Sequence, residues 1–194
     1  MRYEKGHKDS SRQRIMDVAA ERFRSDGIAA SGLAGIMSDA GLTNGAFYPH
    51  FKSKADLVRD SLAAAMDDQS GQLRGMVADG GLEAVIAAYL SPEHRDNPQV
   101  GCTLSALLPE LARQPLDTRI VYMERILDAV SEMAAALPDG TGDREAKVIG
   151  IYATLIGTLQ LARAVHGTPL SERVLAAGAD AARELMRGAS GGPA

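Results

Sequence analysis

The chain has 194 residues, a formal net charge of −4 and a single cysteine, and its length suits one elongated domain or a small domain joined to a larger one. By surface scaling a 20.4 kDa chain buries about 70% of its unfolded surface, so a core forms without staples. Cys102 alone excludes an internal disulfide or a multi-cysteine zinc site. The N-terminus lacks a signal-peptide core and no apolar run reaches the ~18 residues of a membrane span, so a cytoplasmic protein without membrane contact is expected.

The charge is unevenly spread. Residues 1–60 hold 10 Lys/Arg against 8 Asp/Glu, or +2, and residues 61–194 hold 11 against 17, or −6. The first 14 residues carry Arg2, Lys5, Lys8, Arg12 and Arg14, either a basic arm lying near phosphate or a solvated terminus. Helical periodicity dominates, with no sustained alternation of a strand, so the fold is expected to be all-α with about nine helices.

The first helix is expected over 11–25, with Ile15, Val18, Ala19 and Phe23 on one stripe and Gly27 as its stop. Ser31 can cap a short helix over 32–39, Gly41 marks a tight turn, and a further short helix runs from Thr43 to Tyr48 before Pro49. Ser53-Lys54-Ala55-Asp56 opens a helix over 54–76 as a variant capping box. Five more are expected at 82–90, 101–114, 117–137, 143–166 and 171–187, separated by breaks at Ser91 to Pro98, Pro115, Pro138-Asp139-Gly140 and Gly167-Thr168-Pro169. The division into domains is 1–52, 53–188 and a flexible tail over 189–194.

The stretch Leu33 to Tyr48 reads as helix, glycine turn and second helix, the geometry that places a recognition helix in the major groove of double-stranded DNA. Thr43, Asn44, Gly45 and Ala46 open that second helix, where small residues allow close approach and Asn can pair with adenine. Tyr48, His50 and Lys54 are candidate phosphate contacts, with Ser31 at the preceding cap. Phe47 fits either the DNA face or the core, and Phe51 the core.

These residues carry a resemblance. Ala40, Gly41, Gly45, Tyr48, His50, Phe51, Ser53, Lys54 and Leu57 stand at the places of the AGxxxGxxYxHFxSKxxL pattern, so residues 10–60 resemble the DNA-binding domain of TetR-family transcriptional regulators. Gly101-Cys102, the segment Pro109 to Arg113 and Leu161 to Ala164 look like one broad branch of that family. The resemblance implies a homodimer in which each three-helix first domain binds a half-site, while the remainder dimerises and encloses a pocket for a small-molecule effector. Most such proteins are repressors released by their ligand. Gly35 and Gly32 depart from the pattern, because better helix formers are usual in the second helix.

Beyond residue 60, Tyr89, Tyr122 and Tyr152, with Met66, Leu107 and Met123, are candidate pocket residues. Cys102 joins them, either as a small buried residue or as a thiol made reactive by a helix N-terminus. Ile149, Ala153, Ile156, Gly157 and Gln160, then Val174, Gly178, Ala181, Ala182 and Leu185, form small-and-apolar stripes suited to a four-helix dimer interface. His7, His50, His94 and His166 lack metal-ligand spacing, so no metal or cofactor is expected. No nucleophile pairs with a base and no glycine loop cradles phosphate, which sets an enzyme aside. The alternative to a ligand-responsive repressor is a helical small-molecule or redox sensor that has lost operator binding.

Overall fold

A computed structural model describes residues 2–138 and 142–187, the side chains of residues 2–8 excepted. The basic side chains of Arg2, Lys5 and Lys8, the Asp139-Gly140 break and the tail over 189–194 lie outside the described residues. The described chain is all-helical: α1 (Arg2–Asp26), α2 (Leu33–Asp39), α3 (Lys54–Tyr89), α4 (Pro92–Asp96), α5 (Thr103–Leu111), α6 (Leu116–Ala135), α7 (Arg144–Ala164) and α8 (Pro169–Arg187). Two single 3₁₀ turns, Asn44–Ala46 and Pro98–Val100, complete it.

Three boundaries differ from the sequence expectation. The helix α1 begins nine residues earlier than 11, since the polar segment before Ser11 holds good helix formers and no proline. The helix expected over 54–76 continues as far as Gly80, and the one expected at 82–90 follows it as a second segment of α3 across a kink where Gly80 and Gly81 leave helical geometry, Gly81 at φ +63° and ψ −158°, so the expected break stands. A side chain is costly in that region of backbone space, so glycine allows the kink. The helix expected over Thr43 to Tyr48 is only one 3₁₀ turn. Pro49 has no N–H to give the Gly45 carbonyl, which removes the bond that would extend the turn into an α-helix.

The apolar residues form two cores. Ile15, Ala19 and Phe23 of α1, Ile36 and Met37 of α2, and Leu57 and Leu62 of α3 are fully or almost fully buried in the first, which Leu104, Leu107 and Tyr122 close from below. The second packs Val85 and Ile86 of α3 against Met133, Ile151, Leu155, Leu159 and Ala182. Tyr89, Tyr152 and Ile126 touch both. Arg95, itself buried, locks α4 to the start of α8 through Glu172 at 2.6 Å and the Ser171 hydroxyl at 3.0 Å. Its bonds to Asp96 and Glu172 raise its pKa and keep it charged.

Glycine at two sites on α3 separates backbone strain from helix propensity. Gly81→Ala is expected to cost about 1–3 kcal/mol through its positive φ. Gly75→Ala, on an exposed helical residue with open space around it, is expected to stabilise by about 0.5–1 kcal/mol. Urea unfolding of the two variants checks both signs.

Candidate nucleic-acid interface and ligand cavity

The turn between α2 and the 3₁₀ segment is a Schellman motif. Leu42 N–H donates to the Met37 carbonyl and Gly41 N–H to the Ser38 carbonyl, each at 2.9 Å, with Gly41 at φ +67°. It turns the chain so that Thr43, Asn44 and Gly45 are exposed and Ala46 is half-buried. Tyr48 stands 72% exposed, its ring edge-on to Phe47 at 5.4 Å. His50 is half-buried, and Lys52, which the sequence reading did not single out, is exposed just beyond it.

Four residues are corrected here. Phe47 is 2% exposed and stacks on Phe51 at 5.6 Å, so it belongs to the core and not to a DNA face. Ser31 is buried and caps no helix: its hydroxyl lies 2.7 Å from the Gly27 carbonyl and 3.1 Å from that of Arg22, and Gly32 takes the N-cap position instead. The Lys54 ammonium donates to the Ile28 carbonyl, which ties α3 to the loop after α1 and spends a group expected at phosphate. Arg12 pairs with Asp60 at 2.7 Å and lies over the Phe51 ring, away from an arm role. Gly35 gains a reason as well, because the Arg22 guanidinium crosses to Asp39 through the space a Cβ at position 35 would fill.

Two polar ties join this unit to the rest of the chain. The Glu110 carboxylate of α5 accepts from the Ile28 N–H at 2.9 Å and the Ala29 N–H at 3.2 Å. Arg24 Nε of α1 donates to the Gln99 carbonyl at 2.7 Å, in the Pro98–Val100 turn.

That turn leads into a cavity of about 220 Å³. Met66, Leu73 and Met76 of α3, Val85 beyond the kink, and Leu104, Met133 and Leu155 form its apolar wall, while Gln69, Tyr89, His94, Cys102 and Tyr152 supply polar groups. Of the expected pocket residues it therefore gathers Met66, Tyr89, Cys102 and Tyr152. Leu107 and Tyr122 do not line it: both are core, the Tyr122 hydroxyl donating to the Val58 carbonyl at 3.4 Å. Met123 does not either, being 49% exposed on the outer face of α6. The residues that the sequence reading missed include Leu73 and Met76, which with Met66 share one face of α3 at helical spacing.

His94 organises the polar end. One ring nitrogen, Nδ1, lies 2.7 Å from the Tyr89 carbonyl and the other, Nε2, accepts from the Cys102 N–H at 2.9 Å. The amide can only donate, so the ring is neutral with its hydrogen on Nδ1. Burial, with the nearby Arg163 charge, pushes its pKa below the ordinary value against the pull of the Tyr89 carbonyl. Cys102 is the N-cap residue of α5, and its sulfur is 3.9 Å from the Tyr152 hydroxyl.

The family model for bacterial regulatory proteins of the tetR family matches residues 15–60, the segment from α1 through the first turns of α3. Residues 15–60 belong to the TetR family. Among curated relatives, the HTH-type transcriptional repressor KstR2 of Rhodococcus jostii is 36% identical over 73 residues, which is 38% of this chain and 36% of that protein. The HTH-type transcriptional regulator TtgR of Pseudomonas putida is 28% identical over 169 residues, covering 86% of this chain and 71% of the relative. A TetR-family regulator from Cytophaga hutchinsonii has the same fold, with a TM-score of 0.75 and 19% identity over 91% of this chain and 95% of that one.

Against the TetR-family background the α7–α8 pair has a divided surface. Ile149, Ala153 and Gly157, one helical turn apart on α7, are exposed, as are Ala181 and Leu185 on α8. Gln160 and Val174 are half-buried. Ile156, Gly178 and Ala182 are corrected: they are buried within the protomer, where Gly178 admits the Thr158 side chain and lets the two helices close on each other. No helix among the described residues is long and apolar enough to cross a membrane.

Two predictions arise from these contacts. Glu110→Ala strands two amides and is expected to cost about 1.5–3 kcal/mol in urea unfolding. His94 in the folded state binds a proton less readily than in the unfolded chain, where its pKa is about 6.5. Stability is therefore held above pH 6.5 and declines as the pH falls below it. Nitrogen NMR of the ring should show the neutral Nδ1–H form at pH 6.5, and His94→Gln should flatten the decline. A ring titrating at or above the ordinary value would contradict the assignment.

Proposed function

We propose that this chain is a homodimeric repressor that binds a palindromic DNA operator and is released by a small-molecule effector held in the α3–α6–α7 cavity. The observation that carries this reading is the exposed strip Thr43-Asn44-Gly45 with Tyr48, fixed by the Schellman turn and anchored by Phe47 beneath it. A buried aromatic root under exposed polar groups holds them rigidly enough to meet base edges and phosphates. Asn44 has the donor and acceptor pair that reads adenine, and Tyr48 a hydroxyl for phosphate, with His50 and Lys52 flanking it. The exposed face of Ile149, Ala153, Gly157, Ala181 and Leu185 supports a second copy packed as a four-helix bundle, which would set two such strips one helical turn of DNA apart.

Release follows from population shift. The effector favours an arrangement of α3 and the Pro98–Val100 turn in which the two strips no longer match their half-sites.

Fluorescence anisotropy with DNA from upstream of the chain's own gene, at two salt concentrations and beside a scrambled duplex, tests the reading. Binding at least a hundredfold tighter than to the scramble, with two protomers per site and a steep salt slope, is the expected result. Asn44→Ala is expected to weaken operator binding by about 1–3 kcal/mol and relax specificity at one position, and Tyr48→Phe to weaken it uniformly across sequences. Ala153→Arg is expected to give a monomer by light scattering. Equal weak binding to both duplexes, or a wild-type monomer at micromolar concentration, would overturn the proposal.

A further inference from the structure

The cavity is apolar along most of its wall and gathers its polar groups at the end beside Gly101 and Cys102. Most of these groups are already committed. Gln69 donates both amide hydrogens, to the Gly101 carbonyl at 3.0 Å and the Thr103 hydroxyl at 3.1 Å, and accepts from the Thr103 N–H. His94 is engaged at both ring nitrogens. Two hydroxyls are left. That of Tyr89 is buried near the Cys102 and Ser105 side chains but forms no hydrogen bond of good geometry among the described residues, and that of Tyr152 has the weakly polar Cys102 sulfur at 3.9 Å. Burial raises the pKa of both phenols well above the ordinary value, so each offers an O–H donor.

The electrostatic field has a direction as well. Arg163 lies beside Gly101 and Arg24 is bonded to the Gln99 carbonyl; the Glu21 and Asp96 charges reach them in part, but neither guanidinium lies within 4.0 Å of a carboxylate among the described residues. Arg163 is held by the carbonyls of His94 and Arg95 and the Ser105 hydroxyl. Arg24 Nη1 is buried without a hydrogen-bond partner among the described residues. Among the described residues no Asp or Glu lines the cavity, and Arg125 on its wall is neutralised by Asp67 at 2.7 Å.

Resting on the effector-pocket reading above, we infer that the effector is an apolar molecule whose polar end is a hydrogen-bond-accepting oxygen, received by the Tyr89 and Tyr152 hydroxyls, and that the cavity rejects organic cations. A carbonyl or carboxylate oxygen accepts from two O–H groups and carries partial or full negative charge toward two guanidinium groups. An ammonium group could use the two phenols only as weak acceptors, would find no carboxylate among the described residues of the wall, and would face the Arg163 and Arg24 charges.

Three probes of matched shape test this on the full-length protein by calorimetry and ligand-observed NMR: 1-tetralone, the hydrocarbon tetralin, and cationic 1-aminotetralin. The ketone is expected to bind at least tenfold tighter than the hydrocarbon, and the ammonium compound to bind more weakly than either. Tyr89→Phe is expected to weaken the ketone about tenfold while leaving tetralin unchanged, with Tyr152→Phe acting in the same sense. Leu73→Trp, which fills the cavity from a half-buried position, is expected to abolish binding of all probes. Equal affinity for ketone and hydrocarbon, a ratio unmoved by both phenylalanine variants, or an ammonium compound bound as tightly as the ketone would overturn the oxygen-acceptor inference alone. Absence of binding by every probe, or binding that survives Leu73→Trp, would overturn the effector-pocket reading and this inference with it.

Discussion

Helix α3 is built into both hydrophobic cores, and the rest of the molecule is arranged around that constraint. Its first turns bury Leu57, Val58 and Leu62 among the side chains of α1 and α2, and its last turns bury Leu82, Val85 and Ile86 against α6, α7 and α8. Ser53 fixes the start, its hydroxyl accepting from the Asp56 N–H at 3.1 Å, and Lys54 ties that start to the Ile28 carbonyl. Between the cores the helix presents Met66, Gln69, Leu73 and Met76 to the cavity. Each part of this helix is packed into a core that gives way in discrete rearrangements and not by continuous deformation, and the two parts meet at the Gly80–Gly81 kink. The kink at Gly80 and Gly81 falls within the stretch of α3 that lines the cavity, with Met66, Leu73 and Met76 before it and Val85 and Tyr89 after it, so regular helical geometry runs from Lys54 only as far as the kink.

The second joint is the segment from Asn97 to Thr103. It carries the Gln99 carbonyl that holds Arg24 of α1, the Gly101 carbonyl that holds Gln69 of α3, and the Cys102 amide that holds His94. Gly101 is required for close approach, because a Cβ there would overlap the His94 ring and crowd Arg163. Three helices thus meet one short piece of backbone. Buried networks of this kind specify one arrangement strongly, since breaking one bond leaves a partner desolvated.

How much of this was legible in the sequence depends on the range of the interaction that decides it. Helix positions followed from periodicity and from Gly41, Pro115 and Pro169, all local signals. The glycine turn and the exposed Thr43, Asn44 and Tyr48 were readable for the same reason. Lys54 and Ser31 were misjudged because their partners, Ile28 and Gly27, are reached only after the loop folds back. Pro49 is visible in the sequence, and its missing N–H could have indicated that the segment after Thr43 stops at a single 3₁₀ turn. In the cavity, three tyrosines looked equivalent from composition, yet Tyr122 is turned into the first core while Tyr89 and Tyr152 face each other across the second. No one-dimensional pattern distinguishes them. Ile156, Gly178 and Ala182 share a stripe with the exposed residues of α7 and α8, and only the crossing of the two helices shows which side is already occupied.

In the proposed reading the free energy an effector must supply is modest. Coupling between two sites in regulated proteins typically amounts to about 1–3 kcal/mol, and a hydrogen bond to a charged group is worth about 1.5–3 kcal/mol. Weakening either the Arg24 tie to Gln99 or the Glu110 tie to Ile28 and Ala29 in one state therefore suffices to move the DNA-facing unit between arrangements. The condition is that the ligand distinguish those arrangements, because one that occupies both equally leaves operator affinity unchanged however tightly it binds. Apolar filling of the wall formed by Leu73, Met76 and Met133 stabilises the second core without touching either tie. The polar end is different, since it adjoins Gly101 and Cys102, two and three residues beyond Gln99 in one short segment. Tension on that segment reaches Arg24 directly, which makes the hydroxyl-lined end of the cavity the place where binding can be converted into a change at the helix-turn-helix.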